Sequence, residues 1–211
     1  MVNNGRTVKV LRRVSTGSFP DGSAYDTNTE KIFGSDEHGK QVTVIDAQAD
    51  KFTVNIDMGG EVGNTHYDAV SKKIFSAVQT KNQLVCIDPV SNKIINRFDL
   101  KGCEGPHGFY IDPATHYALI TGEKKGQFAV FDLTLKKIIY TDKVGDDPDV
   151  LAFDTDLRKL YVSGESGVIS IFSVEKNKIK KISEGFVAKN AHIISVDQKT
   201  HLVYFPLEDI G

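Results

Sequence analysis

The sequence predicts an all-β fold built from about five copies of one unit, each of four short antiparallel strands. Three observations predict it. An aspartate closing a short apolar run recurs as Asp26, Asp68, Asp112, Asp154 and Asp197, spaced 42, 44, 42 and 43 residues apart. Each unit carries short runs rich in Val, Ile and Phe, bounded by Gly, Pro, Asn and Asp. No segment sustains the 3.6-residue apolar period of a helix. Four strands per repeat of roughly 40–45 residues is the pattern of a β-propeller blade.

The elements follow in a constant order. The first strand ends at the aspartate, as in "NTHYD" and "GFYID". The aspartate reads as turn chemistry: "DTNT", "DAVS" and "DPAT" place a hydroxyl three residues on, where the carboxylate can lock the hairpin by accepting local hydrogen bonds. A second strand follows ("KKIFSAV", "RKLYVSG"), then a third ("QVTVIDA", "QLVCIDP", "QFAVFDL", "VISIFSV"). A fourth closes the unit ("KFTVNIDM", "KIINRFDL", "KIIYTDKV", "KIKKISEG").

A single domain over 1–211 is expected, with complete units at about 17–58, 59–101, 102–144 and 145–186 and partial units at 1–16 and 187–211. The N-terminal "TVKVLRRV" reads as a fourth strand, and "HLVYFPLEDIG" as the second strand of the last unit. Propellers often close by joining strands of the two termini in one blade. Such a blade would lack its third strand here, so a piece of a longer propeller is expected, with edges open to pairing with another chain. Stacking of blades is expected through the column Phe33, Phe75, Leu119, Tyr161 and Tyr204.

Composition narrows the function classes. Of 211 residues, 40% are hydrophobic and 26% charged, with a net charge of −2, as in a folded globular chain. No basic surplus marks a nucleic-acid footprint, so no nucleic-acid partner is expected. No apolar run is long enough to span a membrane, and "MVNNGRTVKV" lacks the apolar region of a secretory signal. Walker A, HExxH and GxSxG patterns are absent from the sequence.

The repeat resembles the YVTN β-propeller family, which includes YncE-like proteins. The likeness rests on "SFPDGSAYD", "CEGPHGFYID" and "GDDPDVLAFD" at the start of the units, on "KLYVSG", on the xVxVID-like third strands and on "HLVYFPLED". It covers essentially the whole chain. The resemblance implies a seven-bladed bacterial protein, of which this chain holds about five units, and a periplasmic or extracellular location. It implies no shared catalytic set. Related propellers include binding proteins, lactonases and subunits of quinoprotein dehydrogenases.

Aligned units turn single residues into columns. Five residues before each turn aspartate stand Asp21, Gly63, His107, Asp149 and His192, where the chain enters the innermost strand at the mouth of the central channel. Between the second and third strands stand Glu37, Gln79, Glu123, Glu165 and Glu208, on loops of the same face. An inner ring of Asp and His inside a ring of acids suits a cation, a divalent metal or a basic ligand. Solvated loop polarity is the alternative reading of both columns. No HxH or CxxC spacing supports a local metal site, so any site must be assembled from different blades.

Cys86 aligns with Val44, Val130 and Ile171 and reads as a small buried hydrophobe. Cys103 replaces a small residue in the loop entering the channel, where a partly exposed thiol near His107 is expected. A disulfide between the two is not expected. His116 and His201 are expected in exposed hairpins on the opposite face, and His38 and His66 as surface or satisfied polar residues. These readings favour a non-enzymatic binding or scaffold protein with a small ligand or protein partner. The alternatives are a metal-assisted, lactonase-like or isomerase-like enzyme using the same face, and a subunit of a quinoprotein-type complex.

Overall fold

The structure, a computed structural model, describes residues 2–3 and 5–207. Four complete blades stand where the repeat places them. Blade 1 is β3 (Pro20–Asp26), β4 (Lys31–Asp36), β5 (Gln41–Asp46) and β6 (Lys51–Asp57), after a small N-terminal pair, β1 (Val2–Asn3) and β2 (Val10–Arg12). Blade 2 is β7 (Val62–Asp68), β8 (Lys73–Val78), β9 (Gln83–Asp88) and β10 (Lys93–Asp99). Blade 3 is β11 (Pro106–Asp112), β12 (Tyr117–Gly122), β13 (Gln127–Asp132) and β14 (Lys137–Lys143). Blade 4 is β15 (Pro148–Asp154), β16 (Lys159–Gly164), β17 (Val168–Glu175) and β18 (Lys178–Phe186). A two-stranded hairpin, β19 (Ser195–Val196) and β20 (Val203–Tyr204), begins a fifth. Every pairing is antiparallel between consecutive strands, and the first strands β3, β7, β11 and β15 lie beside one another. This is a partial β-propeller. Among the described residues no helix is long and apolar enough to cross a membrane.

The turn aspartates act as the sequence suggests. Asp68 accepts from the Val70 and Ser71 backbone N–H groups and the Ser71 hydroxyl, and Asp112 accepts likewise from Ala114 and Thr115. The residue closing each of these hairpins has a left-handed backbone: Glu30, Lys72, His116, Arg158 and His201, with φ from 54 to 61°. The exposure expected of His116 and His201 is corrected here. Both are half-buried, because each reaches back to the turn aspartate of the preceding blade. His116 Nε2 lies 2.9 Å from Asp68 Oδ2, and His201 Nδ1 lies 2.8 Å from Asp154 Oδ2. Arg158 does the same in blade 4, with its guanidinium 2.5 and 3.1 Å from the two oxygens of Asp112.

The core lies between blades. Each sheet alternates its side chains, so each blade sends one set forward and one set back. Phe33 and Val44 of blade 1 pack with Ile74 and Val85 of blade 2. Phe75 and Cys86 of blade 2 meet Phe109 and Ile120 of blade 3. Leu119 and Phe128 of blade 3 meet Phe153 and Phe172 of blade 4. Tyr161 of blade 4 meets Ile194 and Val203. The predicted stacking column is therefore real for four of its members. Tyr204 departs from it: it is 52% exposed and is not part of the cluster that Tyr161 forms with Ile194 and Val203. The N-terminal strand also departs: β2 pairs with β1, not with the last hairpin.

Candidate functional site

A β-bulge builds the inner ring. The register between first and second strands slips between Pro20 and Ser23, Val62 and Thr65, Pro106 and Phe109, and Pro148 and Val150. Those intervals contain Asp21, Gly63, His107 and Asp149. A bulge re-aims the side chain at the extra residue, and here it does so for Asp21, His107 and Asp149 at the same level of blades 1, 3 and 4, with Gly63 at that level of blade 2.

One cavity of about 790 Å³ collects the two columns. Asp21, Glu37, His107, Glu123, Asp149, Glu165 and His192 all line it, so seven of the eight predicted site residues share one wall-to-wall space. Glu208 lies outside the described residues. Asp147, Asn64 and Phe19 also line the cavity and were not read from the sequence, because the residues at their offsets differ in chemistry from blade to blade. None of the described lining residues is lysine or arginine, while six are carboxylic acids.

His107 is the centre of the cavity. Its residue is 8% exposed. Nε2 lies 3.1 Å from Asp21 Oδ2, and since a carboxylate only accepts, Nε2–H is the donor. Nδ1 lies 2.6 Å from Asp149 Oδ1 and 3.0 Å from Glu123 Oε1. Neither oxygen sits close enough to the N–H direction to make a hydrogen bond, and Nδ1 has no other partner. Burial pulls the His107 pKa down, but the carboxylates of Asp149, Asp21 and Glu123 outweigh it and push it up to about 12. Asp21 is held below the usual carboxylate range, chiefly by its hydrogen bond with His107.

The Asp21–His107 contact joins blade 1 to blade 3 across blade 2. Blade 2 permits it because its member of the column is Gly63. A Cβ there would stand 2.7 Å from His107 Cα and 2.8 Å from its ring carbon Cδ2. Gly63→Ala is accordingly expected to push the imidazole off Asp21 and to destabilise the protein by roughly 1–3 kcal/mol, the usual cost of overpacking. Thermal unfolding and the His107 ring resonances in an NMR spectrum would check it. An unchanged ring environment would contradict the crowding argument.

His192 stays apart from this centre. Its Nδ1 bonds the Asn190 carbonyl oxygen at 3.0 Å, and its own carbonyl accepts from the Ser163 hydroxyl at 2.6 Å. It lines the cavity as a rim residue, as do Glu37 and Glu165. Gln79, in place of an acid in blade 2, sits with its amide 3.4 Å from Glu37.

The expected exposure of Cys103 is corrected. The residue is fully buried, packed between blades 2 and 3, and burial pushes its thiol up to about 12. A thiol so placed is no nucleophile near neutral pH. Cys86 is buried in the same interface, and its pKa is raised by burial to about 11. Neither cysteine is in a disulfide.

The fold and the cavity together define a partial β-propeller with an acid-lined cavity between its blades. No protein-family model matches the chain, and no curated protein sequence does either. Solved structures do match. A proposed 6-phosphogluconolactonase from Bacteroides uniformis aligns with TM-score 0.80 and 15% identity over 96% of this chain and 68% of its own. Hydrazine synthase from Kuenenia stuttgartiensis aligns with TM-score 0.77 and 16% identity over 96% and 66%. The Cps50 (Swd1) β-propeller domain of Myceliophteria thermophila aligns with TM-score 0.70 and 14% identity over 88% and 64%. The chain thus spans about two thirds of the length of the structures it matches, and at these identities the likeness is one of fold.

Proposed function

We propose that this chain is a non-enzymatic binding propeller whose channel mouth takes a cationic ligand, and that it is a YVTN-type repeat protein of the bacterial periplasm or cell surface. The observation that carries the binding reading is the cavity lining: six carboxylic acids, two histidines and no lysine or arginine among the described lining residues. A cleft lined by one sign of charge concentrates the opposite sign, even in a chain whose net charge is only −2. The same lining disfavours a phosphorylated sugar lactone, whose phosphate would meet six carboxylic acids and no lysine or arginine among the described lining residues. The family and location rest on the repeat motifs quoted above.

The test is a calorimetric titration of the full chain with spermidine at low and high salt. Binding is expected, weakening as salt rises. Replacing both rim acids, Glu37→Gln with Glu165→Gln, is expected to weaken it by about threefold or more, since two favourable charges are lost. Absence of spermidine binding, or a double variant that binds it equally well, would refute an organic cation as the ligand, and absence of any cation binding would refute the reading. Lactone hydrolysis with and without EDTA separates the enzymatic alternative, and no turnover is expected.

A further inference from the structure

We propose that His107, Glu123 and Asp149 hold a divalent first-row transition-metal ion at the channel mouth, with Asp21 positioning the imidazole. The inference deepens the cation-binding reading and rests on it. It stands on two observations. The first is a set of donor atoms: His107 Nδ1, a Glu123 oxygen and an Asp149 oxygen all lie within 4.8 Å of one another. The second is the geometry of His107 Nδ1, on a residue more than nine-tenths buried: it faces two carboxylates at ion-pair distance and makes a well-aligned hydrogen bond to neither. Buried polar nitrogens are rarely left without a partner, so each exception calls for an explanation.

A metal ion explains both. Ligands about 2.1 Å from a common ion and at right angles to each other are about 3.0 Å apart. The Nδ1–Glu123 contact of 3.0 Å is a separation of that kind, and Asp149, at 2.6 Å, would move outward by a few tenths of an ångström to join it. Both contacts lie off the hydrogen-bond direction, as ligand edges of one ion do. The far side of the ring supplies the rest. Nε2–H donates to Asp21, which is the carboxylate–histidine arrangement that fixes the tautomer and leaves the other nitrogen to the metal. The ion takes the place of the Nδ1 proton.

The donor set selects the kind of ion. Calcium and magnesium favour all-oxygen shells. One imidazole with two carboxylates suits Mn(II), Fe(II), Co(II), Ni(II) or Zn(II). Three protein ligands leave coordination positions open towards the cavity, where a bound molecule could supply further donors.

The experiment uses the full chain, stripped with EDTA and desalted, and titrates Co(II) by calorimetry and visible absorption, with Zn(II) as competitor. One ion per chain is expected, displaced by Zn(II) and not by Ca(II). Asp149→Asn and Glu123→Gln, which keep side-chain size, are each expected to weaken Co(II) by at least about tenfold, and Asp21→Asn by about 10–100-fold. Circular dichroism establishes that each variant is folded. No stoichiometric Co(II) or Zn(II) on the wild type, equal affinity in folded Asp149→Asn, or a preference for Ca(II) would each overturn the metal site. Spermidine binding without Co(II) binding overturns the metal and leaves the cation reading standing. Co(II) binding without spermidine binding supports the metal and removes the organic ligand.

Discussion

Phe128→Ala is expected to destabilise the protein by about 3–5 kcal/mol, the range for deleting a buried aromatic ring. Phe128 is fully buried on β13 of blade 3. Its ring centroid lies 4.6 Å from Phe172 of blade 4, and Tyr140 completes the group at 6.2 Å from Phe128 and 6.5 Å from Phe172. The substitution therefore empties the seam between two blades rather than the inside of one. Neighbouring blades are the only source of core in a repeat architecture, so damage to one seam weakens the coupling of everything on either side. Urea unfolding followed by far-UV circular dichroism measures the loss.

The comparison that makes this specific is Val203→Ala, at the seam between blade 4 and the last hairpin. That cluster is smaller, and Val203 is only partly buried. About 1 kcal/mol or less is expected there, since roughly one to two methylene equivalents leave a half-wet site. Equal effects at the two seams would mean that stability is not partitioned between blades as the packing implies.

The repeat period made the blades legible because it reports on register within a sheet. Apolar runs, turn aspartates and their spacing are all local features, and the strands fall where those features put them. The channel-mouth columns were legible for a related reason: a residue at a fixed offset from the turn comes to the same height in every blade. Contacts between blades were less legible. The sequence shows His116, Arg158 and His201 four residues after a turn aspartate, but not that each reaches the aspartate of the blade before it. Nor does it show that Gly63 leaves room for His107 to cross to Asp21. Cys103 was placed at the mouth because it lies in the loop that enters the innermost strand, where the other units have Gly or Ala. In the structure that smallness serves a tight seam, and the side chain turns into it.

Asp112→Ala is expected to cost about 3–5 kcal/mol, because it removes a turn lock and an interblade ion pair together. The Asp112 side chain is 1% exposed and that of Arg158 is 23% exposed. Without the carboxylate, the Thr115 hydroxyl and the Ala114 and Thr115 N–H groups lose their acceptor. Arg158 keeps its bond to the Val174 carbonyl and its place over the Phe153 ring. Arg158→Ala should therefore cost less, about 1–3 kcal/mol, since Asp112 keeps its turn donors. Burial pushes the Asp112 pKa up, but Arg158, Thr115 and the turn N–H groups outweigh it and hold the carboxyl below 3.8. Asp68 and Asp154 are lowered in the same way. A depressed folded-state pKa contributes stability that is complete above the unfolded value and lost as pH falls through the folded one. Stability measured by urea midpoint should thus fall steeply below about pH 4. Asp112→Asn, which carries no titrating group, should start lower at neutral pH and lose less on acidification. A variant with the full acid sensitivity of the wild type would show that Asp112 is not among the groups that acid attacks.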